Sequence, residues 1–309
     1  MKELLSFPGL GLEFNINRVA FSIGPVTVYW YGILIAIGLL LATTYAMKRS
    51  NEFGINSDKL MDILLIGTIG SIIGARAYYV IFSWDMFKDD LMSIFKTWEG
   101  GIAIYGGIIG AIVVGCIVAK MKNVKILPLT DIAFTGFLLG QGIGRWGNFI
   151  NIEAFGSNTT MPWGMTSQSI VSYLEQHQAQ LAEIGVTVNP QMPVHPTFLY
   201  ESLWCLLGFA IVALYTKRRR FDGEITLFYM MWYGSERFVV EGLRTDSLMM
   251  GGVRVSQVLA GITVLIAAAI MVYIRVKIKK ANDENYLIPF GKTAEGLAIG
   301  QAERESKKK

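Results

Sequence analysis

The sequence predicts an all-α polytopic membrane protein of about seven transmembrane helices, with the N-terminus outside and the C-terminus cytoplasmic. Three observations carry that prediction. Of 309 residues, 52% are hydrophobic and only 17% charged, whereas soluble domains carry about 25% charged residues; the mean hydropathy is +0.43. Apolar runs recur at lengths suited to a hydrocarbon core of about 30 Å, which takes about 20 helical residues to cross. Lysine and arginine cluster in every second loop, as cytoplasmic loops do.

The first expected span covers 19–47 and, like those at 100–119 and 255–274, contains no charge. Four further spans are apolar but interrupted: 60–82 by Arg76, 129–150 by Asp131 and Arg145, 197–215 by Glu201, and 225–241 by Glu236 and Arg237. Loop 48–59 holds Lys48, Arg49 and Lys59, loop 120–128 holds Lys120, Lys122 and Lys125, loop 217–223 opens with KRRR, and nine basic residues follow from Arg275 onward. The intervening loops are poor in them: Lys88 and Lys96 in 83–99, Arg244 and Arg254 in 242–254, and none in 151–196. That alternation sets the orientation. The opening MKELLSFPGLGLEF lacks the compact apolar core and small-residue cleavage site of a signal peptide.

The extracytoplasmic segment 151–196, between helices four and five, holds four of the eight prolines. Within it, Ile170, Leu174, His177, Leu181 and Ile184 fall at helical spacing. They read as an amphipathic helix, either lying in the outer lipid interface or belonging to a packed extramembrane subdomain. Residues 1–280 are expected to form one transmembrane domain, and 281–309 a polar, mobile cytoplasmic tail. Cys116 and Cys205 both sit in apolar runs and offer neither a disulfide framework nor a CxxC pair. With only His177 and His195 and no HExxH, no metal or cofactor site is expected. Nor is a nucleic-acid partner.

The costly polar residues fall at one depth. Moving an arginine into hydrocarbon costs at least ~2.5 kcal/mol on insertion scales, yet Arg145 and Asn148 lie near the outer end of helix four. Tyr233, Arg237 and Glu241 lie in the outer half of helix six, and Arg76 in that of helix two. Tyr31, Tyr105, His195 and Tyr200 fall near the outer ends of inward-running helices. This convergence points to a cavity for an anionic headgroup, because guanidinium stays charged and forms paired hydrogen bonds to phosphate. Arg145 and Asn148 share a helix face, and Glu241 stands four residues from Arg237, where it can hold that guanidinium. Arg76 can instead snorkel outward, His195 before Pro196 can cap a helix, and Glu201 can be a buried partner for an arginine.

GRWGNFINIEAFG at 144–156 matches G-R-x-G-N-F-x-N-x-E-x-x-G at every fixed position. That is the signature of prolipoprotein diacylglyceryl transferases, and the chain resembles that family. VYWYG (28–32), WEGGIAIYGGIIG (98–110), HPTFLYES (195–202) and YGSERFVVEGLR (233–244) resemble its other motifs in order and spacing. The resemblance covers about 20–275 and implies the same seven-span, N-out topology in a bacterial cytoplasmic membrane, with the active site facing the outer leaflet.

The resemblance implies a transferase that moves the sn-1,2-diacylglyceryl group of phosphatidylglycerol onto the lipobox cysteine thiol of a prolipoprotein. A thioether forms and glycerol 1-phosphate leaves. It makes Arg145 and Arg237 the phosphate-handling catalytic residues, accompanied by Tyr105 and Tyr31. It assigns the headgroup to Arg145, Asn148, Asn151, Glu153, Gly156, Tyr233, Glu241 and Arg244. Two arginines would stabilise charge growing on the departing phosphate and favour thiolate in the incoming cysteine. Many family members carry histidine where this chain has Tyr105. Tyrosine, with a free pKa near 10, is a poor base, so Tyr105 is expected to hydrogen-bond the headgroup rather than take a proton. The rival class is a transporter or channel for an anionic solute using the same arginines. Against it, the inward halves of helices one, three, five and seven are nearly pure Leu, Ile, Val, Ala and Gly.

Overall fold

The computed structural model describes residues 2–306 apart from 25, 98–99, 184, 246–248, 251–252, 282 and 284–285. Ile184 of the amphipathic pattern, and Trp98 and Glu99 of the third motif, therefore lie outside the described residues. The chain begins with strands β1 (Lys2–Phe7), β2 (Leu12–Asn17), β3 (Val19–Ile23) and β4 (Val26–Tyr29). Helices α1 (Trp30–Arg49), α2 (Ser57–Phe82), α3 (Ile104–Met121) and α4 (Ile126–Asn151) follow. Next come β5 (Thr166–Ser167), α5 (Gln168–Glu183), α6 (Thr197–Tyr215), α7 (Glu224–Leu243) and the short strands β6 (Met249–Met250) and β7 (Val253–Arg254). Helices α8 (Val255–Ala281) and α9 (Ala294–Ser306) end the chain. Six of these helices, α1 to α4, α6 and α8, are long and apolar enough to cross a membrane. Helix α7 coincides with the expected run at 225–241 but carries Glu224, Glu236, Arg237 and Glu241, and it is not among the six.

Two compact units emerge, one of residues 1–42, 133–220 and 224–286, the other of 43–132, 221–223 and 287–309. The first contains a small head. Strands β1 and β2 pair antiparallel from Lys2↔Asn17 to Phe7↔Leu12, and β5 adds to the other edge of β1 at Leu5↔Ser167. Against this sheet α5 buries Ile170, Leu174 and Leu181, joining Leu5, Phe7, Ile16 and Val194 in one core. Of the two alternatives for the amphipathic helix, the packed subdomain is the one observed. Its start is capped by Glu3, whose carboxylate accepts the Ser169 amide (2.8 Å) and hydroxyl (2.6 Å). Burial alone would raise the Glu3 pKa, but the Ser169 and Ser167 hydrogen bonds and Arg18 outweigh it and hold the group below the usual value.

The expected first span is corrected here. Val19–Ile23 and Val26–Tyr29 pair as the β3–β4 hairpin, and the helix starts only at Trp30. Val26, Thr27 and Val28 are β-branched and favour strand. Gly24 takes a left-handed φ of 57°, which turns the chain where a continuous helix was expected.

Elsewhere in this unit small residues set helix packing. Gly38 of α1 lies so near α4 that an added Cβ would stand 3.2 Å from the Gly140 carbonyl oxygen, the close backbone approach expected between membrane helices. Trp204 of α6 and Trp232 of α7 stack with centroids 4.4 Å apart, and each indole N–H donates to the other's backbone carbonyl at 3.0 Å.

In the second unit α2 packs along α3 through Gly70, Gly74, Gly106 and Gly110. Arg76 neither snorkels nor faces an open cavity. Its guanidinium donates to four carbonyls, of Ser93, Ile94, Gly100 and Gly101, each at 2.7 Å, and the residue is 8% exposed. The expectation of a mobile tail also gives way, since α9 is folded against this unit. Buried Glu303 accepts the amide (3.0 Å) and hydroxyl (2.5 Å) of Ser57 at the start of α2. Lys125 lies 3.7 Å over the Phe290 ring. Gly291 lets this polar stretch meet the Glu52 backbone closely, and Gly296 lets α9 fold back on the Phe290 carbonyl, contacts that composition does not reveal.

Candidate active site

Helix α4 ends in GRWGNFIN, and each of those residues has a place in the first unit. Trp146 donates from its indole to the Ser202 hydroxyl (3.1 Å), and Ser202 donates to the Gly142 carbonyl (2.7 Å), fastening α4 to α6. Gly147 is where the Tyr31 ring crosses the helix, because a Cβ there would run into that ring. Arg145 and Asn148, one turn apart, approach at 3.5 Å, the limit of a hydrogen bond. The Asn148 and Asn151 amides both donate to Glu153 Oε1, at 2.9 and 3.2 Å. The turn that returns Glu153 toward Asn148 uses left-handed φ at Ile152 (53°) and Ala154 (55°). Gly156 then hydrogen-bonds the His195 carbonyl (2.9 Å) and bridges to Arg244 as an isolated β pair. A Cβ on Gly156 would stand 2.8 Å from that of His195, so only glycine fits without a shift.

The centre of the site is Glu201, fully buried on α6. Arg145 Nε lies 2.8 Å from its Oε2, close enough for an ion pair although off the N–H line. Arg237 Nη1 lies 3.3 Å from its Oε1. One carboxylate thus gathers guanidiniums from α4 and α7. Arg237 Nη2 also pairs with Glu241 one turn on, as the i,i+4 spacing predicts. Both arginine side chains are 20% exposed, while Glu201 and Glu241 are at 1% and 3%. The acids are almost fully buried, and the arginines they pair with keep part of their side chains exposed.

Tyr233 stacks on Tyr229, ring centroids 5.6 Å apart. The His195 ring nitrogen Nδ1 lies 3.0 Å from the Tyr200 hydroxyl, which also accepts from the Trp163 indole at 2.7 Å. Burial holds the His195 imidazole below its usual pKa. Beside these residues a cavity of about 500 Å³ is lined by Arg18, Tyr29, Tyr31, Asn151 and Glu153. Arg18 was not singled out in the sequence, for it lies in a polar stretch outside every motif. Glu201 was legible as a buried acid but not as the joint between two arginines, and Glu236 escaped as a site residue. Tyr105 belongs to the second compact unit, near the start of α3, and is 71% exposed. Among the described residues no group of three or more His, Cys, Asp or Glu could hold a metal ion.

A helical membrane protein that gathers two partly open guanidiniums on one buried carboxylate has the makings of an enzyme acting on anionic lipid. Comparison narrows this. Residues 18–273 match the prolipoprotein diacylglyceryl transferase family. The chain is 44% identical over 266 residues to the phosphatidylglycerol–prolipoprotein diacylglyceryl transferase of Finegoldia magna, covering 86% of this chain and 97% of that protein. It is 41% identical over 271 residues to the enzyme of that name from Staphylococcus aureus strain Newman, covering 87% and 93%. The chain belongs to the prolipoprotein diacylglyceryl transferase family.

Proposed function

We propose that this protein transfers the diacylglyceryl group of phosphatidylglycerol to the lipobox cysteine of prolipoproteins. The observation that carries the reading is the Arg145–Glu201–Arg237 bridge, which gathers two cations on one buried carboxylate on a scaffold of apolar helices. The incoming thiolate attacks the glyceryl carbon next to the phosphate; a C–S bond forms, the C–O bond breaks, and the electron pair leaves on phosphate oxygen. Charge grows on that phosphate as the bond breaks. Guanidiniums already aimed by buried acids need no reorganisation to meet it, the condition under which electrostatic stabilisation is largest. Asn148, Asn151 and Glu153 form a polar shelf beside Tyr31, suited to the hydroxyls of the glycerol headgroup. Gly156 and Arg244 close the turn that carries the shelf, while Tyr233 and Glu241 flank Arg237.

In this reading α7 is the seventh span and the N-terminus is outside. The basic loops 48–59, 120–128 and 217–223 then face the cytoplasm, and the site opens to the outer leaflet of a bacterial cytoplasmic membrane. Residues 1–280 act as the catalytic domain. Nothing observed favours solute transport. The test incubates purified protein in detergent with labelled phosphatidylglycerol and a lipobox peptide. Glycerol 1-phosphate should appear with the cysteine peptide and not with its cysteine-to-serine counterpart. Absence of release with both peptides would sink the reading.

A further inference from the structure

The site contains a third buried acid, to which neither family motif spacing nor the chemistry above gives a task. Glu236 precedes Arg237 on α7 and is 4% exposed. Glu201 and Glu241 are each engaged by arginine. Glu236 is not: its Oε1 has no hydrogen-bond partner among the described residues, and its Oε2 meets only a weak donor, the Cys205 thiol, at 3.8 Å. A buried carboxyl left half unpartnered costs stability, so packing does not account for it. The groups acting on it are Glu201 and Cys205 from α6, Arg145 from α4, and Tyr229, Tyr233 and Arg237 on its own helix. At the neighbouring Gly234 the nearest atoms are those of Ala260 and Val264 on α8.

The transfer needs a proton carrier. The lipobox thiol must lose a proton, and the departing glycerol phosphate, a monoester, gains one. Tyrosine at 105 is ill suited to the first task. Arginine can do neither, since it does not deprotonate in proteins. With Arg145 and Arg237 matched by Glu201 and Glu241, the unmatched carboxyl is the group with a proton site to spare. The Cys205 contact is itself a thiol resting against this carboxyl.

Building on the transferase reading, we propose that Glu236 is the proton carrier of the reaction. Its carboxylate takes the proton from the lipobox thiol as the S–H bond breaks and the C–S bond forms. The C–O bond of the phosphatidylglycerol breaks with its electron pair on phosphate oxygen. That oxygen then receives the proton from Glu236, so glycerol 1-phosphate leaves and the carboxylate is restored. No oxidant, reductant or further reactant is required. Glu236 is only 4% exposed, so little bulk water reaches the carboxyl to exchange that proton.

The experiment measures glycerol 1-phosphate release by purified full-length protein, wild type, Glu236→Gln and Glu236→Asp, with phosphatidylglycerol and lipobox peptide across pH 5–9. Glutamine, nearly isosteric but unable to carry the proton, should lower kcat by about 10²-fold, the lower end of general acid–base effects. The KM for phosphatidylglycerol should stay within about twofold, and the acid limb of the pH profile should vanish. Aspartate should recover part of the rate and keep that limb. Melting temperatures and phosphatidylglycerol binding of all three confirm that the variants are folded. A glutamine variant within threefold of wild type, or one that loses rate while keeping the acid limb, overturns the proposal. If the wild type itself releases nothing, it is the transferase reading that fails.

Discussion

Arg76 and the Arg145–Arg237 pair are guanidiniums largely buried on apolar helices, and they are held in opposite ways. Around Arg76, four backbone carbonyls accept from Nε, Nη1 and Nη2, and the residue is 8% exposed. Its donors are consumed in shaping the loop between α2 and α3. Arg145 and Arg237 are held by carboxylates, and a fifth of each side chain remains open. Carbonyls satisfy an arginine as a structural staple; buried acids pair with Arg145 and Arg237 while part of each side chain stays exposed. Since buried ion pairs add little net stability, the second arrangement is better explained by what arrives in front of it.

The sharpest way to break this contrast is to keep the charge and lose the fork. Arg145→Lys or Arg237→Lys should each lower transfer by about 10²–10³-fold, as removal of one preorganised charge-stabilising donor does, because ammonium is a point charge without paired donors. The check is glycerol 1-phosphate release per folded molecule, and activity within threefold of wild type would remove these arginines from the chemistry. Next in size is Glu201→Gln. With the joint between α4 and α7 uncharged, both guanidiniums lose their aim, and kcat/KM should fall by about 10²-fold, in line with small misplacements elsewhere. An unchanged rate would mean that Glu241 and the helices orient the arginines alone.

Arg76→Gln should do the reverse. It orphans several carbonyls at about 1–3 kcal/mol each where they stay buried, so thermal stability should drop, while kcat/KM per folded molecule stays within about twofold. A selective loss of rate would place Arg76 with the functional pair. The smallest effect is at Glu3. Its pKa is depressed, so its contribution to the head is present above the unfolded value of 4.5 and is lost as pH falls through the lower folded value. Exchange of the Ser169 amide should accelerate across that acid window, and Glu3→Gln should abolish the dependence. A variant with the same acid sensitivity would reject the cap as its origin.

How much was legible follows from the range of each interaction. The run of spans, the Arg145–Asn148 face and the Arg237–Glu241 pair repeat within a helical turn, so spacing along the chain is enough to read them. The β3–β4 hairpin was read as helix because its residues are as apolar as the helix they precede, and hydropathy does not record backbone direction. The C-terminal tail was read as mobile because its composition is polar. Its order comes from partners far along the chain, among them buried Glu303 on Ser57, 246 residues away, and Lys125 over the Phe290 ring.

By itself the sequence determined the solvent this protein lives in, the family to which it belongs and which arginines stand out, because burial cost and motif spacing are properties of the chain. Only the tertiary structure decided that Arg145 and Arg237 meet on Glu201, that Arg76 is consumed by its own loop, and that Glu236 is left unmatched. Those outcomes depend on where side chains from distant segments converge, and hydrogen-bond partners of that kind have no signature in local order.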